Sequence, residues 1–163
     1  MGVGNINSDK PGSGARYNDG KLAMDLIPVS FWRRQWRREL SAFPLMDALL
    51  LELHKFQEGD LCAPGRILDM VGDDGLCKAT AVLEYGVKKY AAWNWAKGMN
   101  WSVPTGCILR HVHAILFEDE KSDSESGLPH FSHVVCNVVM LAYYITHYRE
   151  GDDRPPCSRD MPE

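Results

Sequence analysis

The chain has 163 residues, 45% of them apolar and 25% charged, with a formal net charge of −4. That length holds one substantial core rather than two, the composition is that of a folded domain, and the acidic balance excludes a protein that coats nucleic acid through a basic face. No apolar run approaches the roughly 20 residues of a membrane span, and five cysteines without a C-x-x-C pair speak against structural zinc or a disulfide scaffold.

Residues 1–16 are Gly-rich, lack the apolar stretch of a secretory signal and show no periodic apolar positions, so a flexible segment and a cytoplasmic protein with reduced thiols are expected. Tyr17 to Lys21 is turn-like and leads into an apolar segment that Pro28 breaks. From 29 to 40, Phe31, Trp32, Trp36 and Leu40 follow the helical period, while Arg33, Arg34, Arg37 and Arg38 fill the other face. A docked amphipathic helix with solvated arginines explains this stripe more simply than a nucleic-acid contact.

Pro44 opens a second helix, 45–56, on Met46, Leu49, Leu50 and Leu53. After a loop at 59–65, one helical turn at 66–71 precedes a break at Gly72-Asp73-Asp74-Gly75, with Asp74 placed to cap a third helix over 76–91. A loop at 94–103 leads to a fourth helix from Pro104 to about Glu118. The polar stretch 121–127 cannot be core, and a last, strongly apolar helix runs from His130 to about Tyr148. The tail from 150, with its prolines and charges, reads as flexible. Nothing alternates with period two, so the expected fold is all-α: a helical domain over 17–149 that forms a bundle, with a second copy able to complete it.

The acidic run from Glu118 to Glu125 is the densest chemical feature. Were the fourth helix to continue through it, Glu120 and Asp123 would share a face and could hold Mg²⁺ or Mn²⁺, although by pattern alone a solvated acidic loop is the simpler explanation. Glu84 offers a further carboxylate, or else a surface pair with Lys88; Lys88 and Lys89 carry charge suited to phosphate oxygens. Trp93 and Trp95 could stack on a base and Asn94 could pair with its edge, or the indoles could plug the core. Arg110 suits phosphate or a surface. His111 and His113 lie on nearly opposite helix faces. His130, His133 and Asn137 form a stripe that would suit zinc had it a third soft ligand at metal-site spacing; hydrogen-bonded polar residues are the simpler reading. No P-loop, Rossmann glycine fingerprint or nucleophile elbow is present, which leaves metal-activated water as the nucleophile the chain can best supply.

Several linked motifs also resemble a known family. Gly14-Ala15-Arg16-Tyr17-Asn18-Asp19-Gly20-Lys21 with Asp25-Leu26-Ile27-Pro28, then Tyr85-Gly86-Val87-Lys88-Lys89-Tyr90 and Asn94-Trp95 with Gly98-Met99, are similar to the phage-type dATP/dGTP diphosphohydrolases. Arg110-His111, then Glu120-x-x-Asp123 followed by Glu125-Ser126-Gly127-Leu128-Pro129-His130, and His133-x-x-x-Asn137 continue the pattern. These enzymes are related to the MazG-type all-α pyrophosphatases, and the chain resembles the MazZ type of phage enzyme among them.

The resemblance implies a helical bundle assembled as a homodimer or homotetramer. It implies hydrolysis of a purine deoxynucleoside triphosphate, dGTP or dATP, to monophosphate and pyrophosphate, with possible use in supplying dGMP for a modified-purine phage genome. Glu84, Glu120 and Asp123 would hold Mg²⁺ or Mn²⁺, and a water activated by the ion would attack the α-phosphate. Lys88 joins them as a catalytic residue, while Lys89, Arg110, His111, Trp93, Asn94, Trp95 and His130 would contact substrate. The first acidic element of the MazG-type pattern is incomplete around Glu84, and residues 29–75 stand as an insertion. A dUTP pyrophosphatase and a non-catalytic nucleotide-binding bundle are the alternatives.

Overall fold

The computed structural model describes residues 4–118 and 121–156. Among them there is no strand, only an isolated antiparallel bridge between Ser122 and Pro129, and the helices form an all-α bundle as expected. No described helix is long and apolar enough to cross a membrane.

Helices α1 (Val29–Gln35) and α2 (Arg37–Leu40) replace the single helix expected over 29–40, with Trp36 as the joint. Trp36 is buried, stacks on Trp32 with ring centroids 5.1 Å apart and meets Phe117 edge-on, while Arg34, Arg37 and Arg38 are exposed and Arg33 bonds Asp47. The stripe is thus a docked amphipathic face. Helix α3 (Pro44–Gln57) starts on its proline and buries Met46, Leu49, Leu50, Leu53 and Phe56, the i, i+3, i+4, i+7 face.

Helix α4 (Ala63–Lys89) runs through the expected break: only Gly72 leaves helical geometry, at φ 63° and ψ −163°, a conformation that favours glycine. Gly75, expected to break the helix, lies inside it and is buried; a Cβ there would stand 2.6 Å from Val71. Helices α5 (Ser102–Phe117) and α6 (His130–His147) complete the bundle. The α6 face carrying Val134, Val135, Val138, Leu141 and Tyr144 is buried, because α6 packs on both α4 and α5.

Described residues toward both ends of the chain pack on the bundle. Gly14 donates its N–H to the Gly98 carbonyl, and a Cβ at Gly14 would meet that oxygen at 2.7 Å, so only glycine allows this approach. At the other end Arg154 is buried over the Phe56 and Trp101 rings, 4.9 and 5.1 Å from their centroids, and donates to the Phe56 carbonyl. Trp101 donates its indole N–H to the Tyr148 carbonyl and its backbone N–H to Gly151.

Candidate active site

Helices α4, α5 and α6, the 122–129 turn and the 12–21 segment enclose a cleft of about 650 Å³. Of the residues expected to act, Glu84, Lys89, Trp93, Asn94, Trp95, Arg110, His111, Asp123 and His130 line it. Lys88 does not: it is exposed on α4, one turn beyond Glu84, and is not among the cleft-lining residues. Glu120 lies outside the described residues.

The described residues of the acidic stretch, Glu118 and 121–125, are not helical. Helix α5 stops at Phe117, and Glu118 is extended at φ −103° and ψ 139°. Asp123 then accepts from the Ser126 N–H at 2.9 Å and from its hydroxyl at 3.0 Å, Gly127 takes φ +73°, and Asp123 N–H reaches the Leu128 carbonyl at 2.8 Å. A carboxylate bonding its own local backbone competes with helix and closes a turn. The helical i, i+3 premise for Glu120 and Asp123 therefore fails at Asp123.

This turn lays Asp123 against two helices. His111 of α5 and His130, the first residue of α6, approach with their Nδ1 atoms 2.9 Å apart. His133, one turn further along α6, stacks on His111 with centroids 4.5 Å apart and planes 9° from parallel. Its Nε2 lies 2.7 Å from Ser126 Oγ and 3.8 Å from Asp123. One ligating atom from each of His111, Asp123 and His130 lies within 4.8 Å of the other two, so these residues could hold a metal ion. Glu84 opens onto the same cleft but joins no three-donor group among the described residues.

Burial, helped by His133, lowers the His111 pKa to about 3, against the pull of Asp123; His133 is lowered too, by burial first and then by Arg16. Both rings are therefore neutral near pH 7. Burial works against the Asp123 carboxylate, but the Ser126 N–H and hydroxyl, with His133 and His111, outweigh it and hold its pKa below the usual value.

The cationic wall includes a residue to which sequence reasoning gave no role. Arg16 is part-buried and donates to Cys107 Sγ (2.6 Å), Asn137 Oδ1 (3.0 Å) and Met140 Sδ (3.1 Å), with no carboxylate at ion-pair distance among the described residues. Arg110 reaches the same Cys107 sulfur at 2.8 Å. Lys89 bonds Glu125, which also faces Lys21 at 3.7 Å; the Lys89 hydrogen bond is the main reason the Glu125 pKa is lowered. The motif around Arg16 was visible in the sequence, but its descent into the bundle was not.

Asn94 departs from the base-pairing expectation: its amide is buried and bonds both backbone groups of Ala15, at 2.9 and 2.8 Å. Trp95 packs edge-on to Tyr143, as a core plug would. Trp93 is 71% exposed at the cleft and has φ +63°, the one non-glycine residue with positive φ among those described. An exposed indole on a strained backbone is unfavourable without a partner.

The family model described as dATP/dGTP diphosphohydrolase, N-terminal, matches residues 67–154, just over half the chain. The match takes in most of α4 with α5 and α6, and leaves 29–66 outside it. No curated protein and no solved structure matches.

Proposed function

Because the chain belongs to the dATP/dGTP diphosphohydrolase family, and so is a nucleoside triphosphate diphosphohydrolase, we propose that its cleft binds a purine deoxynucleoside triphosphate and releases pyrophosphate. The observation that carries this reading is Arg16, a guanidinium drawn into the cleft wall with no carboxylate to balance it among the described residues. A buried cation without a counter-ion is costly, and a polyphosphate supplies the missing charge.

In this reading Arg16 and Arg110, both anchored on the Cys107 sulfur, present planar donors to phosphate oxygens. Lys21 and Lys89 add charge but are partly neutralised by Glu125, so phosphate competes with that carboxylate for them. The exposed Trp93 indole stacks on the purine, while Asn94 holds the 14–16 strap in place instead of reading the base.

The donor set of His111, Asp123 and His130 fits a divalent cation, which when bound would supply Lewis acidity and a more acidic water. The protein's part is to take up the proton released as water attacks the α-phosphorus. His133 Nε2–H donates to Ser126 Oγ, whose own proton goes to Asp123, so that ring orients the carboxylate, and Glu84, which opens onto the same cleft, is the group left to take the proton.

A panel of ribo- and deoxynucleoside triphosphates, assayed with Mg²⁺, with Mn²⁺ and with EDTA, tests the reading. Pyrophosphate and monophosphate from dATP or dGTP, lost in EDTA, are expected. Release of single phosphates, or turnover that ignores the base, would refute it.

A further inference from the structure

The cleft's donor chemistry differs from an all-carboxylate magnesium cage. Mg²⁺ takes oxygen ligands and keeps several waters, whereas imidazole nitrogen suits first-row transition metals. Here two imidazoles and one carboxylate converge: His111 from α5, His130 at the start of α6 and Asp123 from the turn between them.

Three independent features mark the cluster as built. First, one ring nitrogen of His111, one of His130 and one oxygen of Asp123 all lie within 4.8 Å of one another, close enough to ligate a single ion. Second, His130 is 6% exposed, and its Nε2 is buried with no hydrogen-bond partner. Whichever ring donates in the Nδ1 contact, that nitrogen stays unsatisfied, and buried polar atoms are rarely left so. Third, Ser126 holds Asp123 through Oδ2 alone, and the same hydroxyl bonds His133, whose ring stacks on His111. Such supporting contacts fix the orientation of first ligands and leave Asp123 Oδ1 available to an ion.

We propose that His111, Asp123 and His130 form a two-imidazole, one-carboxylate site for a divalent transition-metal ion, bound in preference to Mg²⁺, at the wall of the nucleotide cleft. Three protein ligands leave open positions toward the cleft, where phosphate oxygens complete the shell. The site's use rests on the nucleotide-hydrolase reading, but its existence does not.

The test uses the full chain, stripped with EDTA and dialysed, with Co²⁺ as the probe. Titration should give a visible d–d absorption band that saturates at one ion per chain, resists millimolar Mg²⁺ and disappears with Zn²⁺. His111→Ala, His130→Ala and Asp123→Asn should each weaken Co²⁺ binding at least tenfold, with Glu84→Gln within twofold of the unaltered protein. Circular dichroism checks the fold of each variant, and a Co²⁺-dependent rise in the Tm of the unaltered protein makes the same measurement without any substitution.

The proposal is overturned by the absence of a saturable band, by displacement of Co²⁺ by Mg²⁺ at equal concentration, or by unchanged binding in folded His130→Ala. Co²⁺ binding as expected, in a protein that releases no pyrophosphate from dATP or dGTP, upholds the site and removes the hydrolase reading. Pyrophosphate release from dATP or dGTP, with Co²⁺ binding unchanged in folded His130→Ala, does the reverse.

Discussion

The side-chain amide of Asn94 closes a two-bond ring on the backbone of Ala15, its Oδ1 accepting from the N–H at 2.9 Å and its Nδ2 donating to the carbonyl at 2.8 Å. Both residues are buried, so neither backbone group has water as an alternative. Asn94→Ala should therefore destabilise the protein by about 1–3 kcal/mol for each orphaned group. Because Arg16 follows directly, the same variant should raise KM for the triphosphate more than it lowers kcat. Urea unfolding and steady-state kinetics measure the two effects, and a stable variant with unaltered KM would detach the strap from the site.

Arg16 sets stability against binding. Arg16→Met removes a part-buried charge while keeping much of the apolar stem among Cys107, Asn137 and Met140. Its Tm should equal or exceed that of the unaltered protein, with triphosphate affinity at least tenfold weaker. Calorimetric titration with a non-hydrolysable dGTP analogue gives the affinity. A lower Tm with intact affinity would make Arg16 purely structural.

Trp93 holds φ +63° while its indole is 71% exposed. Trp93→Gly should relieve the backbone and raise Tm, since a glycine adopts that conformation without strain. The lost stacking should weaken purine nucleotide binding by ~1–3 kcal/mol, roughly five- to 150-fold. Fluorescence quenching by dATP in the unaltered protein, absent from the variant, reads the contact directly.

Arg154 ties the end of the described chain to the core by lying over Phe56 and Trp101 and bonding Asp152. Arg154→Ala should lower stability by about 1–3 kcal/mol, through lost cation–π contact and hydrogen bonds. Activity at 25 °C should be little changed, and thermal melts at several protein concentrations measure the effect.

Acid should loosen the joint between α3 and α4. Arg66 bonds Glu52 at 2.8 Å and Asp60 at 2.5 Å. Burial opposes the Glu52 carboxylate, but Lys55 and Arg66 overcome it, and the Arg66 hydrogen bond leads in lowering Asp60. Carboxylates with depressed folded pKa values stabilise the fold above their ordinary pKa, and that contribution goes as pH falls through the folded values, below about 4. Arg66→Gln should melt earlier at pH 7 and show a shallower loss of Tm between pH 5 and pH 3. The difference should shrink in high salt, because these groups are solvated.

Much of this protein is written locally in its sequence. The all-α class, the apolar faces of α3 and α6 and Pro44 at the start of α3 all follow from periodicity or turn chemistry. Even the break at Gly72 was legible, although it proved to be a kink within one long helix, because residues on both sides favour helix.

What the sequence left open depends on partners far apart along the chain. Arg16 meets Asn137 across 121 positions, and Asn94 spends its amide on Ala15 across 79, so neither role can be inferred from neighbouring residues. In the acidic run a solvated loop is the simpler reading by pattern, but nothing local shows that Ser126 captures Asp123 and folds it back between His111 and His130. Periodicity reports which face of a helix is buried; only packing decides which polar groups meet there, because side-chain convergence is a property of three-dimensional distance and not of spacing along one strand of chain.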